Sequence, residues 1–144
     1  MLNKKVFLTQ TDTTIGFLSQ DANRLTAIKK RAPYKHYIRA VDSLATLKCF
    51  TRVPTKYKNS VRRANKTTFI MPNSNSYRVI KDKQHLLLIG RLKWAYTTSA
   101  NLSNQKYDEN FAREVADIVI EPLKSKQEAS NIYKIGNTTI RRIR

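Results

Sequence analysis

Leu92-Lys93-Trp94-Ala95-Tyr96-Thr97-Thr98-Ser99-Ala100-Asn101-Leu102-Ser103-Asn104 is the stretch on which the reading of this chain turns. An apolar run, Leu86-Leu87-Leu88-Ile89, precedes it, and after Tyr96 the chain changes to small hydroxyls and an amide. Ser, Thr and Asn side chains bond readily to nearby backbone, so they favour loops and caps over strand interiors. They also supply neutral donors and acceptors for a phosphate, a carboxylate or an amino acid. Placed just beyond a buried strand, such a cluster lies where open α/β sheets bind ligands. Two readings follow: a hydroxyl-rich turn that caps the next helix, or a ligand loop with Leu86 to Leu88 as rigid support behind Ser99 and Asn101.

Working outward, the 144 residues suit one domain, 1–144, with enough chain to bury a core. An apolar fraction of 40%, with only 3 glycines and 4 prolines, excludes a low-complexity chain. Lys and Arg number 28 against 10 acids, a formal charge of +18, which attracts polyanions such as nucleic acid or nucleotide phosphates. The single cysteine, Cys49, has no internal partner and reads as buried filler in a reducing compartment. No apolar run is long enough for a membrane span or a signal-peptide core, so the expectation is a cytoplasmic protein without a membrane partner. His36, His85 and Cys49 give no metal-ligand spacing, so no protein-held metal is expected.

Along the chain, Val6 to Leu8 reads as a first strand, and Asp21 to Asn23 caps a short helix over Arg24–Lys30 that ends near Pro33. Tyr37 to Val41 suits a strand, with Asp42 or Ser43 capping a second helix through Leu47. Arg52 to Lys66 is basic and loop-like. Thr67 to Met71 and Tyr77 to Ile80 read as strands. Gln84 to Leu92 fits helix or strand, and periodicity does not separate them. Tyr96 to Thr98 is a strand end, Phe111 to Val115 a helix and Ile118 to Ile120 a strand. Ile132 to Ile135, Gly136-Asn137 and Thr138 to Ile140 read as a hairpin. The result is an α/β domain with a twisted mixed parallel/antiparallel sheet, flanking helices and a concave basic face.

Polar clusters recur at strand-to-loop junctions: Thr11 to Gly16, Lys29-Lys30-Arg31 with Lys35, and Thr97 to Ser103. None is a P-loop or a dinucleotide-binding Gly-rich turn, and no Ser-His-Asp set is evident. Read from charge alone, Lys29 and Arg31 are a solvated helix end. Lys56-Tyr57-Lys58, Arg62-Arg63 and the tail Arg141-Arg142-Ile143-Arg144 interleave basic residues with aromatic or apolar ones. Such segments contact phosphates and stack on bases.

In order and content these clusters resemble the YrdC-like family, threonylcarbamoyl-adenylate synthases that act in tRNA modification. The family's Pro-Thr-Glu-Thr-x-Tyr-Gly-Leu appears as Gln10-Thr11-Asp12-Thr13-Thr14-Ile15-Gly16-Phe17. Its Lys-x-Arg-Pro appears as Lys29-Lys30-Arg31-Ala32, with Pro33 one place late, and its next basic position is Lys35. The Pro-Gly-x-x-Thr-Phe strand is Ala64-Asn65-Lys66-Thr67-Thr68-Phe69, and Tyr77-Arg78-Val79 follows. Ser-Ala-Asn-x-Ser-Gly appears as Ser99-Ala100-Asn101-Leu102-Ser103-Asn104, and a final Ser before the C-terminal hairpin is Ser130. The resemblance covers Val6 to Arg141.

The resemblance implies a nucleotidyltransferase that takes L-threonine, bicarbonate and ATP, with Mg²⁺, to threonylcarbamoyl-AMP and pyrophosphate for a downstream threonylcarbamoyl transferase. It implies that Lys29, Arg31, Arg78, Ser99, Asn101 and Ser130 bind ATP or its phosphates. Thr11, Lys35 and Thr68 would line the threonine or carbamate pocket. Two other readings stand beside it. One is a catalytically weak or inactive RNA-binding module of the same fold, contacting tRNA or other RNA through Lys56, Lys58, Arg62, Arg63, Arg141 and Arg142. The other is a carbamoyl-transfer domain for a different acceptor.

Overall fold

In the computed structural model, which describes residues 2–32, 35–102, 105–124 and 129–144, the chain begins with a hairpin of β1 (Phe7–Gln10) and β2 (Ile15–Ser19). Then come α1 (Ala22–Lys29), β3 (Ile38–Val41), α2 (Leu44–Leu47), a 3-10 turn at Thr55–Tyr57 and α3 (Lys58–Arg63). They are followed by β4 (Thr67–Ile70), β5 (Ser76–Val79), α4 (Lys83–Leu92) and β6 (Trp94–Ser99). The chain ends with α5 (Glu109–Val115), β7 (Ile118–Val119), β8 (Asn131–Ile135) and β9 (Ile140–Arg142). The strands form a 9-stranded sheet in the order β7-β1-β2-β6-β3-β5-β4-β8-β9. It is mixed: β1–β7, β3–β5 and β4–β8 are parallel, and the other neighbours are antiparallel.

Local chemistry starts the helices. Asp21, Ser43, Asp82 and Asp108 each accept backbone N–H bonds at an N-cap, the position such side chains favour. Residues 84–92 resolve as the helix α4, with His85, Ile89 and Leu92 on its buried side. The basic segment 52–66 is not a loop: it holds the 3-10 turn and α3, anchored by buried Tyr57 and Val61. Cys49 is exposed at the end of α2 rather than filling the core. The C-terminal hairpin forms, but four residues, 136–139, connect its strands, closed by the Gly136 N–H donating to Thr139 O at 2.8 Å. The expectation at Pro33 lies outside the described residues.

Strand alternation and register sort side chains onto two faces. One face carries Leu8, Phe17, Tyr96, Arg39, Tyr77 and Phe69, which pair laterally. Helices cover it in two groups. Leu25 of α1 and Ala112 of α5 join Leu8, Ile15 and Phe17, while Leu47 of α2 and Val61 of α3 join Val41, Phe69, Tyr77 and Ile135. The other face carries Leu18, Ala40 and Ala95, against which Ile89 and Leu92 of α4 pack. Beyond α4 the same face carries Thr97, Ser99, Arg78 and Thr68. At the Ser99 end this open face borders a cavity.

Gly16 stands opposite Ser99 on the open face. A Cβ there would lie 3.0 Å from both Thr11 Cγ2 and Thr98 O, so the hydroxyl turn 11–14 folds down only because this position lacks a side chain. Gly16→Val is expected to cost about 1–3 kcal/mol through overpacking, read as a lower chemical-denaturation midpoint with unchanged slope.

Candidate functional site

The turn between β1 and β2 is built by Thr11. Its hydroxyl accepts from the Thr13 and Thr14 N–H groups at 3.2 and 3.1 Å and donates to Thr14 O at 2.7 Å. Thr11 therefore shapes the turn with the atoms that would otherwise face a ligand. The turn in turn presents Asp12 and Thr13 to Arg78. An Arg78 N–H donates to Asp12 Oδ1 at 2.8 Å, and another reaches Thr13 Oγ1 at 3.4 Å. Both ion-pair side chains are almost wholly buried, at 8% and 5% exposure. Burial pushes the Arg78 guanidinium below its ordinary value, and Asp12 opposes that shift.

Beside Arg78, Thr68 and Ser130 lie with their hydroxyls 3.2 Å apart. Arg144 donates to Ser130 O at 3.0 Å and Ser130 Oγ at 3.2 Å, close enough to Arg78 for the two charges to repel. Arg78 and Ser130, implied as phosphate residues, and Thr68, implied as a threonine-pocket residue, thus come together. Arg144 joins them although its sequence position marks it only as tail charge.

Lys29, Ser99 and Asn101 form a second group at the end of β6. The Lys29 ammonium donates to Ser99 O at 2.8 Å, Asn101 O at 2.9 Å and Asn101 Oδ1 at 3.3 Å. Burial, then the charge of Arg31, lowers its pKa to about 8. The Ser99 hydroxyl donates to Asn101 Oδ1, and the Asn101 amide donates to Leu102 O and Gln105 O. This amide braces its own loop beside a cavity of about 560 Å³ lined by Thr14, Ser99, Asn101 and Lys106. Support behind the loop comes from Ala100 within the Ile15–Phe17–Leu25 cluster. Leu86 and Leu88 pack elsewhere, against the group containing Ile80 and Ile89, and Leu87 is 68% exposed. Ser103 and Asn104 lie outside the described residues.

Arg31 lies near enough to Lys29 for its charge to act there but shares none of its hydrogen bonds, and Lys35 stands apart from both groups. Arg31 donates to His36 O at 3.1 Å and lies over the Tyr37 ring at 4.7 Å. Lys35 lines a cavity with Tyr37, Arg39 and Tyr96. Of the residues read as RNA-binding, Lys56, Arg62, Arg63, Arg141 and Arg142 are exposed and Lys58 half-buried. Tyr57 is buried and donates its hydroxyl to Thr138 O at 2.8 Å, so it offers no stacking face. Among the described residues no group of three or more His, Cys, Asp or Glu gathers as metal ligands, and no helix is long and apolar enough to cross a membrane.

The whole described chain superposes on proteins of one architecture. A crystal structure of P. abyssi Sua5 complexed with L-threonine matches with a TM-score of 0.83 at 15% identity, over 97% of this chain and 50% of that one. E. coli YciO matches at 0.72 and 13% identity, over 98% and 82%. The fold is the Sua5/YrdC fold. The solution structure of MTH1692 from Methanobacterium thermoautotrophicum matches at 0.69 with 20% identity, over 97% of this chain and 79% of that one. No protein-family model matches the chain. In sequence it is 37% identical over 101 residues to the uncharacterized protein MG259 of Mycoplasma genitalium, covering 69% of this chain and 21% of that protein. It is 31% identical over 141 residues to the uncharacterized homolog in Mycoplasma pneumoniae, covering 90% and 30%. The chain therefore spans between about a fifth and a third of the length of these curated relatives.

Two outcomes test the Arg78 cluster. Asp12→Asn leaves a buried guanidinium without its counter-charge, so stability should fall by about 3–5 kcal/mol in denaturant titration. His85 of α4 is 2% exposed with an unpartnered Nδ1, and burial lowers its pKa from 6.5 to about 4. The unfolded chain then binds the extra proton between pH 6.5 and 4, so stability falls as pH drops through that window. Between pH 7 and 4, His85→Leu should lose about 3 kcal/mol less than the parent chain, because a tenfold difference in proton affinity corresponds to about 1.4 kcal/mol.

Proposed function

We propose that this chain is a nucleotide-dependent synthase domain of the threonylcarbamoyl-adenylate type. What carries the reading is the convergence of Arg78, Thr68, Ser130 and Arg144 on the open face of a sheet shared with a Sua5 structure that holds L-threonine. In the proposed reaction the threonine amine and bicarbonate condense to a carbamate with loss of water. A carbamate oxygen attacks the α-phosphorus of ATP, and pyrophosphate leaves with the electron pair of the broken P–O bond.

That chemistry needs positioning and positive charge more than a strong acid or base. Arg144 and Arg78 supply planar forks for oxyanions, and Thr68 and Ser130 supply neutral donors beside them. Arg78 is already engaged by Asp12, so a phosphate would share the guanidinium with a carboxylate. Lys29 acts one step back: its ammonium holds the carbonyls of Ser99 and Asn101 and fixes the loop bordering the open face. Mg²⁺ would be held by the phosphates and water, because Asp12 is committed to Arg78 and no side-chain cage exists among the described residues. When bound, it would neutralise phosphate charge.

A second reading, an RNA-binding module without turnover, is favoured by the +18 charge and by exposed Lys56, Arg62 and Arg63 on and next to α3. It places RNA on charge alone, so affinity should fall steeply with salt. Pyrophosphate release separates the readings. The synthase reading expects release that requires ATP, L-threonine and bicarbonate together. Thr68→Val and Ser130→Ala should each lower it at least about tenfold, roughly 1.4 kcal/mol of lost hydrogen bonding, in variants that lower the melting temperature by several degrees but still melt cooperatively. No release with all three substrates, alongside salt-sensitive RNA binding, would support the module instead. Release that needs bicarbonate but not threonine would favour a different carbamoyl acceptor.

A further inference from the structure

The helix-covered face of the sheet holds a cavity of about 360 Å³ that none of the preceding chemistry uses. Its floor is Arg39, Tyr77 and Tyr96, lateral neighbours on β3, β5 and β6. Asn23 of α1 stands on one wall, Asn75 of the β4–β5 turn on another, and Lys35 and Tyr37 close one end. It lies between the two helix groups, on the opposite face from Arg78, Thr68 and Ser130.

Arg39 is an unusual floor for such a gap. Its guanidinium sits 4.2, 4.6 and 4.8 Å from the ring centres of Phe50, Trp94 and Tyr96, and it donates to the Tyr96 hydroxyl. Rings attract a cation through their faces but do not cancel its charge. Its Nε is buried without a partner, and among the described residues no carboxylate pairs with Arg39 or Lys35. No Asp or Glu lines the cavity. Two unneutralised cations therefore face one space, with amides on facing walls and tyrosine rings between.

We propose that this cavity is a second ligand site, for a nucleoside monophosphate. Lys35 and Arg39 match a phosphate dianion. Asn23 and Asn75 offer paired donors and acceptors to a base edge, and half-buried Tyr96 offers an apolar wall. The volume sits at the lower end of small-ligand pockets, about 300–1,000 Å³, which suits one base, one sugar and one phosphate. The site shares Lys35 with the pocket that the family resemblance implies and no residue with the Arg78 group.

The chain carries its own reporter, because its one tryptophan, Trp94, has its ring 5.1 Å from that of Tyr96. The full chain is titrated with adenosine 5′-monophosphate and followed by Trp94 fluorescence. A saturable change is expected, with adenosine and inorganic phosphate each binding at least tenfold more weakly. Arg39→Gln and Lys35→Ala should each weaken the response at least tenfold, and Arg91→Ala, an exposed change on α4 outside both sites, should leave it unchanged. Lys35 is exposed, so its variant keeps the test free of folding effects. A flat titration overturns the site. So does a response lost in Thr68→Val but kept in Lys35→Ala, which would place the nucleotide on the open face. Phosphate binding as tightly as the nucleotide overturns the ligand class, as does binding of a short oligonucleotide with none of the mononucleotide.

Discussion

The buried pair of Arg78 and Asp12 organises the open face of this molecule. It joins residues 66 positions apart, drawing the β1–β2 turn down against β5. A buried ion pair gives little net stability, because desolvation offsets most of its attraction. Its effect is geometric. It fixes Thr13 beside the guanidinium, and Thr68, paired with Ser130, lies one strand away. Gly16 permits the approach by leaving the space under the turn empty.

Acid is scarce in this chain, and structure consumes it. Asp21, Asp82 and Asp108 cap helices, Asp117 pairs with Arg24, and Glu109 and Glu121 pair with Arg113. Few carboxylates are left to neutralise the surface, so the excess of Lys and Arg is expressed as external potential. That potential acts on both faces of the sheet. On the open face Arg144 stands near Arg78, and on the covered face Arg39 sits in its ring cage.

The sequence made some of this legible. Polar residues before apolar runs announced the N-caps at Asp21 and Ser43, and the hydroxyl run after Tyr96 marked the end of β6. The motif match singled out Thr68, Arg78 and Ser130, and the strand pairing then brought them to one place. The 3-10 turn and α3 escaped notice because six helical residues with one buried side chain, Val61, give no period to read. Apolar α4 defied assignment because its run of leucines fills more than one face, leaving Leu87 in solvent. Lys29, a phosphate ligand by resemblance, also holds the backbone carbonyls of Ser99 and Asn101, a contact that depends on a strand 70 residues away. Arg144 and Arg39 were invisible as site residues for the same reason: their neighbours are set by strand order, not by spacing.

The most direct test of the open-face site is a crystal structure of this chain grown with L-threonine and a non-hydrolysable ATP analogue. The expected result is both molecules on the open face, with phosphate oxygens at Arg78 and Arg144 and hydroxyl contacts from Thr68 and Ser130. An open face empty at saturating concentrations of both, with the Arg78–Asp12 pair unchanged, would contradict it.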